Sequence, residues 1–280
     1  MFKTYNAKFT KPKHTRTRAP FSYQGGKYRE IPLIESFQPD SFQRFVEPFG
    51  GGGCMSLYYC PRHDVHYNDK WAPIVNVYKC LQDERQTETL IDDLSKLTPS
   101  KELHDEMTHK KHPELLHTFY ASKCYYTGLR QDNSAPHLIK PRLARDKEGN
   151  LIWPASIIPK TKDLRMYTPM VKDWTITNKD YGDVLEQYKS DPEAFLYLDP
   201  PYIEKTTTEY HNKFTIADLL KIKDFMEDDE TKCKVMLNVD YTAWTRETFA
   251  NLYKGCYPIR YSMQRHYDTY QKYHLILTNY

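Results

Sequence analysis

Apolar residues along the 280-residue chain fall into short blocks whose spacing alternates between two periods. Phe45-Val46-Glu47-Pro48-Phe49 is a brief apolar strand that runs straight into Gly50-Gly51-Gly52-Gly53. Met55, Leu57 and Tyr58 then continue as a helix that ends near Pro61. Val65-His66-Tyr67-Asn68 reads as a second strand ending at Asp69, and Ile74, Val75, Val77, Tyr78 and Leu81 recur at helical spacing. The pattern resumes near Trp174. Strands are expected over 175–178, 194–198, 235–238 and 275–278, with a helix from Ile216 to Met226. Strand–helix alternation of this kind predicts an α/β fold, with a largely parallel sheet covered on both faces.

The stretch from about Glu84 to Tyr167 has a different character. Leu90, Ile91, Leu94 and Leu97 make its first half helical, while its second half is rich in Pro, Lys, Arg and aromatics without a clear period. The expected organisation is a basic arm over 1–19, a catalytic domain built from 20–83 and 166–280, and a separate recognition domain over 84–165. There is no internal repeat and no low-complexity tract.

Composition narrows the class further. A charged fraction of 28% with dispersed apolar blocks is that of a soluble globular protein. No apolar run reaches about 18 residues, so no membrane span is expected, and the absence of an apolar signal core predicts an intracellular protein. The six cysteines are scattered without a Cys-x-x-Cys pair and read as reduced, packed thiols. His109, His112 and His117 stand among Lys110, Lys111 and Pro113, which favours solvated or structural histidines over a metal site. A net charge of +3 does not by itself indicate nucleic acid. Lys8, Lys11, Lys13, Arg16 and Arg18, uninterrupted by acid, suit phosphate contacts or a plain solvated tail. The 24 tyrosines offer base-stacking surfaces, or reflect a biased composition.

The sharpest chemical signal is Asp199-Pro200-Pro201-Tyr202, directly after the apolar strand Phe195–Leu198. In an open α/β sheet, ligands bind beyond the carboxyl ends of the strands, where this tetrapeptide falls. Two successive prolines stiffen the turn and leave carbonyl acceptors aimed outward. A carboxylate beside a backbone carbonyl can hold an exocyclic amine with two N–H donors, and Tyr202 offers a stacking face. An ordinary strand-ending turn with a surface Asp would look the same in isolation. The glycine run permits close approach to a ligand, but it is neither Gly-x-Gly-x-x-Gly nor a phosphate loop followed by Lys-Ser/Thr. Asp69 lies some way beyond it, placed to accept ribose hydroxyl protons or simply to cap a turn.

Taken in order, the Glu47-Pro48-Phe49-Gly50 loop, Asp69 and Asp199-Pro200-Pro201-Tyr202 make the sequence resemble the D12-class, Dam-like adenine-specific DNA methyltransferases. Pro20-Phe-Ser-Tyr-Gln-Gly-Gly-Lys27 is similar to the family's N-terminal Gly-Gly-Lys motif. Asn178-Lys-Asp180-Tyr181 resembles its segment beside the cofactor's adenine ring. Tyr126-Thr-Gly-Leu-Arg130 through Asn133 resembles its Asn-Gly-Leu-x-Arg-x-Asn stretch, and Tyr273–Asn279 its closing strand. The resemblance implies a Rossmann-like methyltransferase sheet with an inserted, mostly helical target-recognition domain, and S-adenosylmethionine as cofactor. It implies cofactor contacts from Tyr23, Lys27, Glu47, Pro48, Phe49, Gly51, Gly53, Asp69, Asp180, Tyr181 and Asp199, with catalysis by Asp199, Pro200, Pro201 and Tyr202. It also implies a duplex DNA substrate with a flipped adenine. Tyr126, Arg130, Asn133, Lys140, Arg142 and Arg145 are the expected nucleic-acid contacts, Arg130 toward a base edge and the other cations toward phosphate.

There are two departures from the family pattern. Trp71 stands where the family often has Asn, and the basic stretch His137–Arg145 replaces an Asn-Val-Pro-Tyr-Gly-like run. RNA adenine or cytosine N4 would suit the same acceptors, and an idle nucleic-acid-binding module would share the fold. A glutamine side chain as substrate would more often go with Asn in place of Asp199.

Overall fold

The structure is a computed structural model that describes residues 12–23, 25–125, 129, 139–154, 163–202, 214–259 and 272–280. Its strands are β1 (Arg44–Glu47), β2 (Asp64–Asn68), β3 (Ala144–Arg145), β4 (Leu151–Ile152), β5 (Thr175–Thr177), β6 (Ala194–Leu198), β7 (Lys234–Asp240), β8 (Tyr253–Ile259) and β9 (Lys272–Thr278). The α-helices are α1 (Ile31–Glu35), α2 (Cys54–Tyr59), α3 (Ala72–Leu81), α4 (Glu84–Lys96), α5 (Lys101–Thr108), α6 (Glu114–Cys124), α7 (Thr168–Val171), α8 (Tyr181–Tyr188), α9 (Ile216–Glu227) and α10 (Ala243–Thr248).

Among the described residues, seven strands form one sheet in the order β5-β2-β1-β6-β7-β9-β8. The first five in that order run parallel, while β9 is antiparallel to both β7 and β8. The short β3–β4 hairpin stands apart. In register, Phe45 of β1 lies beside Val65 and Phe195, so the carboxyl ends of β1, β2 and β6 emerge along one edge.

Strands buried on both faces put alternate residues into two cores. Phe45, Phe195, Tyr197, Met236 and Ile276 face one apolar cluster, and Val46, Leu196, Leu198, Val235 and Leu237 face the other. Every residue of β6 is buried, which fixes the position of Asp199 at its end. Each such side chain contributes about 1.5–3 kcal/mol by leaving water.

The first cluster continues into the helical segment. Leu90 and Leu94 of α4, Met107 of α5, and Phe119 and Tyr120 of α6 join it, and α3 packs against both α4 and α6. Asp83 and Ser100 cap the starts of α4 and α5 by accepting from Gln86 N and Leu103 N.

Two expectations change on contact with the fold. Tyr58, Tyr59, Tyr67, Tyr78, Tyr120, Tyr125, Tyr167, Tyr197 and Tyr257 are fully buried, so much of the tyrosine content builds core instead of stacking surface. The described part of the basic arm lies on the body. The Arg16 and Arg18 guanidiniums sit 4.7 and 4.4 Å from the Tyr28 ring centre, and Arg16 donates to the Tyr28 carbonyl. Lys8 and Lys11 lie outside the described residues. No helix among the described residues is long and apolar enough to cross a membrane.

Candidate active site

A cleft of about 330 Å³ opens along the carboxyl ends of β1, β2 and β6. Its floor is the glycine turn between β1 and α2. Gly53 caps α2 at φ +66°, a conformation that glycine adopts without strain, and a Cβ there would stand 2.4 Å from the Tyr78 hydroxyl. A Cβ on Gly50 would meet the Tyr67 ring at 2.2 Å. These same tyrosines hold the turn: Tyr67 donates to the Gly51 carbonyl at 2.8 Å and Tyr78 to the Gly52 carbonyl at 2.7 Å.

Asp69 closes one side. Its Oδ2 accepts from Gly51 N and its Oδ1 from Trp71 N, both at 2.8 Å, which leaves a further lone pair on each oxygen. Burial lifts its carboxyl to about 6 despite those bonds. Trp71 thus serves Asp69 through its backbone N–H, which any non-proline residue provides, while its ring lies 6.4 Å from that of Tyr23. The departure from Asn at this position costs no backbone hydrogen bond.

Glu47 is buried beneath the turn and accepts from Ser56 Oγ at 2.5 Å and Ser56 N at 3.1 Å. Burial raises it to about 8, the Ser56 bonds opposing. Phe49, from the Pro48-Phe49 turn, stacks on Tyr181 with centroids 5.0 Å apart, and Phe214 meets both edge-on. Tyr181 donates to Asp218 at 3.0 Å. Asp180 caps α8 through Gly182 N and lies 3.4 Å from Lys70 Nζ.

The opposite wall carries the densest charge. Lys27 is 5% exposed and spends its three N–H donors on Asp199 Oδ2 at 2.7 Å, Tyr202 OH at 2.8 Å and the Gly25 carbonyl at 3.1 Å. Tyr202 donates to Asp199 Oδ1 at 3.2 Å, and Asn238 Nδ2 approaches the same oxygen at 3.4 Å. Burial pushes the Asp199 carboxyl up, with Lys27 pulling it down. Burial likewise opposes the charge on Lys27, yet Asp199 and Glu30 outweigh it and hold the ammonium protonated.

Every residue expected from the sequence to touch cofactor or target amine therefore lines one cleft: Tyr23, Lys27, Glu47, Pro48, Phe49, Gly51, Gly53, Asp69, Asp180, Tyr181, Asp199, Pro200, Pro201 and Tyr202. Lys140, Arg142 and Arg145 are exposed at and before the β3–β4 hairpin, away from that lining. Tyr126, Arg130 and Asn133 lie outside the described residues. Sequence reasoning missed Ser56, Asn238, Phe214 and Asp218, which carry no motif and enter only through packing. His109, His112 and His117 bond separately to the Asp105 carbonyl, Glu106 and Tyr125.

A sheet whose parallel half ends in a glycine turn and two acids, and whose far edge inverts through β9, is the Rossmann-like methyltransferase fold. Within that class, the chain belongs to the D12 class N6 adenine-specific DNA methyltransferases, whose family model matches residues 23–267. It is 22% identical to the Type II methyltransferase M.CviBI of Paramecium bursaria Chlorella virus NC1A, over 92% of this chain and 98% of the relative. It is 25% identical to the Type II methyltransferase M1.LlaDCHI of Lactococcus lactis subsp. cremoris, over 78% and 80%. To M.MjaIII of Methanocaldococcus jannaschii, also a Type II methyltransferase, it is 24% identical over 84% and 88%.

Proposed function

We propose that this chain transfers a methyl group from S-adenosylmethionine to the N6 amine of adenine in DNA, on a base swung out of the duplex. The observation that carries the reading is the placement of Asp199 and Tyr202 beside the glycine turn and Asp69 in one cleft. The residues fit the cofactor. Asp69 retains lone pairs for ribose hydroxyls, the turn is glycine where a Cβ would collide, and Phe49, Tyr181 and Phe214 form an aromatic wall for a purine. The cleft volume falls within the range of small-molecule sites, about 300–1,000 Å³. When bound, the cofactor supplies a methyl group on a positively charged sulfur.

The protein's task is then alignment. Asp199 and the Pro200 carbonyl accept the two amine N–H groups, which helps the nitrogen lone pair leave conjugation with the ring. Tyr202 stacks on the base. Positioning of this kind lowers a barrier by about 7–11 kcal/mol. The methylated amine sheds its proton to Asp199 or to water. A base stacked inside a duplex cannot present its amine to such a cleft, which is why extrusion belongs to the reading. The segment 84–165 is proposed as the target-recognition domain. Lys140, Arg142 and Arg145 are its phosphate contacts there, Arg130 its contact to a base edge, and Tyr126 and Asn133 further nucleic-acid contacts.

Purified protein with methyl-labelled S-adenosylmethionine, unmethylated genomic DNA and, in parallel, total RNA provides the test. Labelled N6-methyladenine in DNA, absent with Asp199→Ala, is the expected product. Label confined to RNA or to cytosine N4 overturns the substrate, and no label anywhere overturns the reaction.

A further inference from the structure

Behind Lys27 and Asp199 lies a buried polar ring that takes no direct part in aligning the amine. Lys27 and Glu30 are three apart in a 3-10 turn, closed by Glu30 N donating to the Lys27 carbonyl at 2.8 Å, and i, i+3 side chains on such a turn share a face. Tyr257 of β8 donates to Glu30 Oε2 at 2.5 Å. His274 of β9 is the cross-strand neighbour of Tyr257, with Nδ1 3.2 Å from its hydroxyl and 3.6 Å from Glu30. Asp240 of β7 faces the other ring nitrogen at 3.2 Å and pairs with His274 in register. Asn238, fully buried, bridges the Tyr257 hydroxyl at 3.3 Å and Asp199 at 3.4 Å.

One ammonium thus has Asp199 in direct contact and a second carboxylate, Glu30, on the same face of its turn, joined to Asp199 through Tyr257 and Asn238. Were Asp199 the sole counter-charge, Lys27 would bind it as a closed neutral pair, and its lone pairs would be poor acceptors. A second anion divides the pull of the ammonium and gives the cluster Lys27, Asp199 and Glu30 a net negative charge. We propose, building on the reading of the cleft as an adenine methyltransferase site, that Glu30, held by Tyr257, is a positioning residue. Its charge acts on Lys27 from across the turn, without direct contact, so that Asp199 keeps the charge needed to hold the amine and to receive its proton. The charge of Lys27, then the contacts with His274, and last the hydrogen bond from Tyr257 overcome the burial of Glu30 and hold its carboxyl at about 2, so this second anion persists at any working pH.

The test is Glu30→Gln, which keeps the shape and the acceptor for Tyr257 and removes the charge. With Lys27 answered by Asp199 alone, the proton affinity of Asp199 drops. The acid limb of the kcat profile and the carbon-13 titration of the Asp199 carboxyl are both expected to move to lower pH. The kcat plateau should fall about tenfold, the scale of one neighbouring charge. Cofactor affinity should stay near the wild type; Tm should fall somewhat at neutral pH because the fold favours the Glu30 charge, and Glu30→Asp, which restores it, should return both Tm and the acid limb. An unmoved Asp199 titration overturns the inference, as does a kcat loss that merely follows a loss of Tm. If Glu30→Gln does not fold, Tyr257→Phe decides. Losing the hydroxyl makes Glu30 easier to protonate, so the Asp199 titration and the acid limb should move in the same direction as in Glu30→Gln, to lower pH, and an unmoved Asp199 titration overturns the inference. The Asp199→Asn protein separates the two claims. Full activity there, or a wild type inert on adenine, sinks the methyltransferase reading, while the carboxyl titration still decides what Glu30 does.

Discussion

In the cleft, Asp69, Asp199 and Lys27 are each held by two or more hydrogen bonds, at least one of them to a residue 18 or more positions away. At and just before the β3–β4 hairpin, Lys140, Arg142 and Arg145 are exposed, and the Arg145 side chain donates to the Gly149 carbonyl only four residues away. The hairpin turn is itself local, with Asp146 accepting from Asn150 N at 2.7 Å and Gly149 at φ +89°. On the proposed reading, a group that must align a lone pair is built into the sheet's end, where its neighbours over-determine it. A group that meets a phosphate needs only charge and reach. Substitutions should therefore be severe and specific in the first region, and graded and salt-dependent in the second.

The strongest test of that contrast is Asp199→Ala. A fall in kcat of about 10³-fold is expected, the scale for removing one preorganised polar group, with far less change in cofactor affinity. Comparable loss on changing one hairpin arginine, at saturating DNA, would break the comparison. Next comes Gly53→Ala, which places a Cβ against the Tyr78 hydroxyl at a left-handed φ. Backbone strain alone costs about 1–3 kcal/mol, and a lowered Tm with weakened S-adenosylmethionine binding by calorimetry should follow.

Glu47 offers a subtler probe. Its carboxyl is raised from 4.5 to about 8, so the folded state prefers it protonated. That contribution to stability is fully present below about 4.5 and is lost as pH rises to about 8. Glu47→Gln should accordingly match the wild type at pH 5 and exceed it in Tm at pH 9, by about 2–4 °C per kcal/mol recovered. An equal Tm difference at both pH values would remove the case for a buried neutral acid. Smallest are Arg142→Ala and Arg145→Ala. Each should weaken DNA binding modestly on any sequence, and lower the slope of log affinity against log salt by about 0.9 for each phosphate that is no longer neutralised.

The cleft was unusually legible because its residues sit at strand ends, where short apolar runs announce the strand and the next residue is the site. Phe195–Leu198 followed by Asp199, and Val65–Asn68 followed by Asp69, need no long-range knowledge. β8 was not visible, since Tyr253–Ile259 carries Lys254, Gly255 and Pro258 and lies at the sheet edge, where pattern is weakest. α8 escaped for a related reason, being short and starting Tyr181-Gly182. The ring of Glu30, Asn238, Tyr257 and His274 was beyond reach altogether. It exists only because β9 inserts antiparallel between β7 and β8, a register that no local signal fixes.

The glycine turn hangs from two core tyrosines by its carbonyls, which couples the cleft's evolution to that of the interior. Replacing Tyr67 or Tyr78 by Phe would be nearly silent for packing, yet would strand a carbonyl of the turn without its donor. Drift at those two positions is thus constrained by a ligand neither ring is needed to touch. A lineage that abandons the chemistry should reveal it there first, with the tyrosines relaxing to phenylalanine while the apolar pattern of the sheet stays intact.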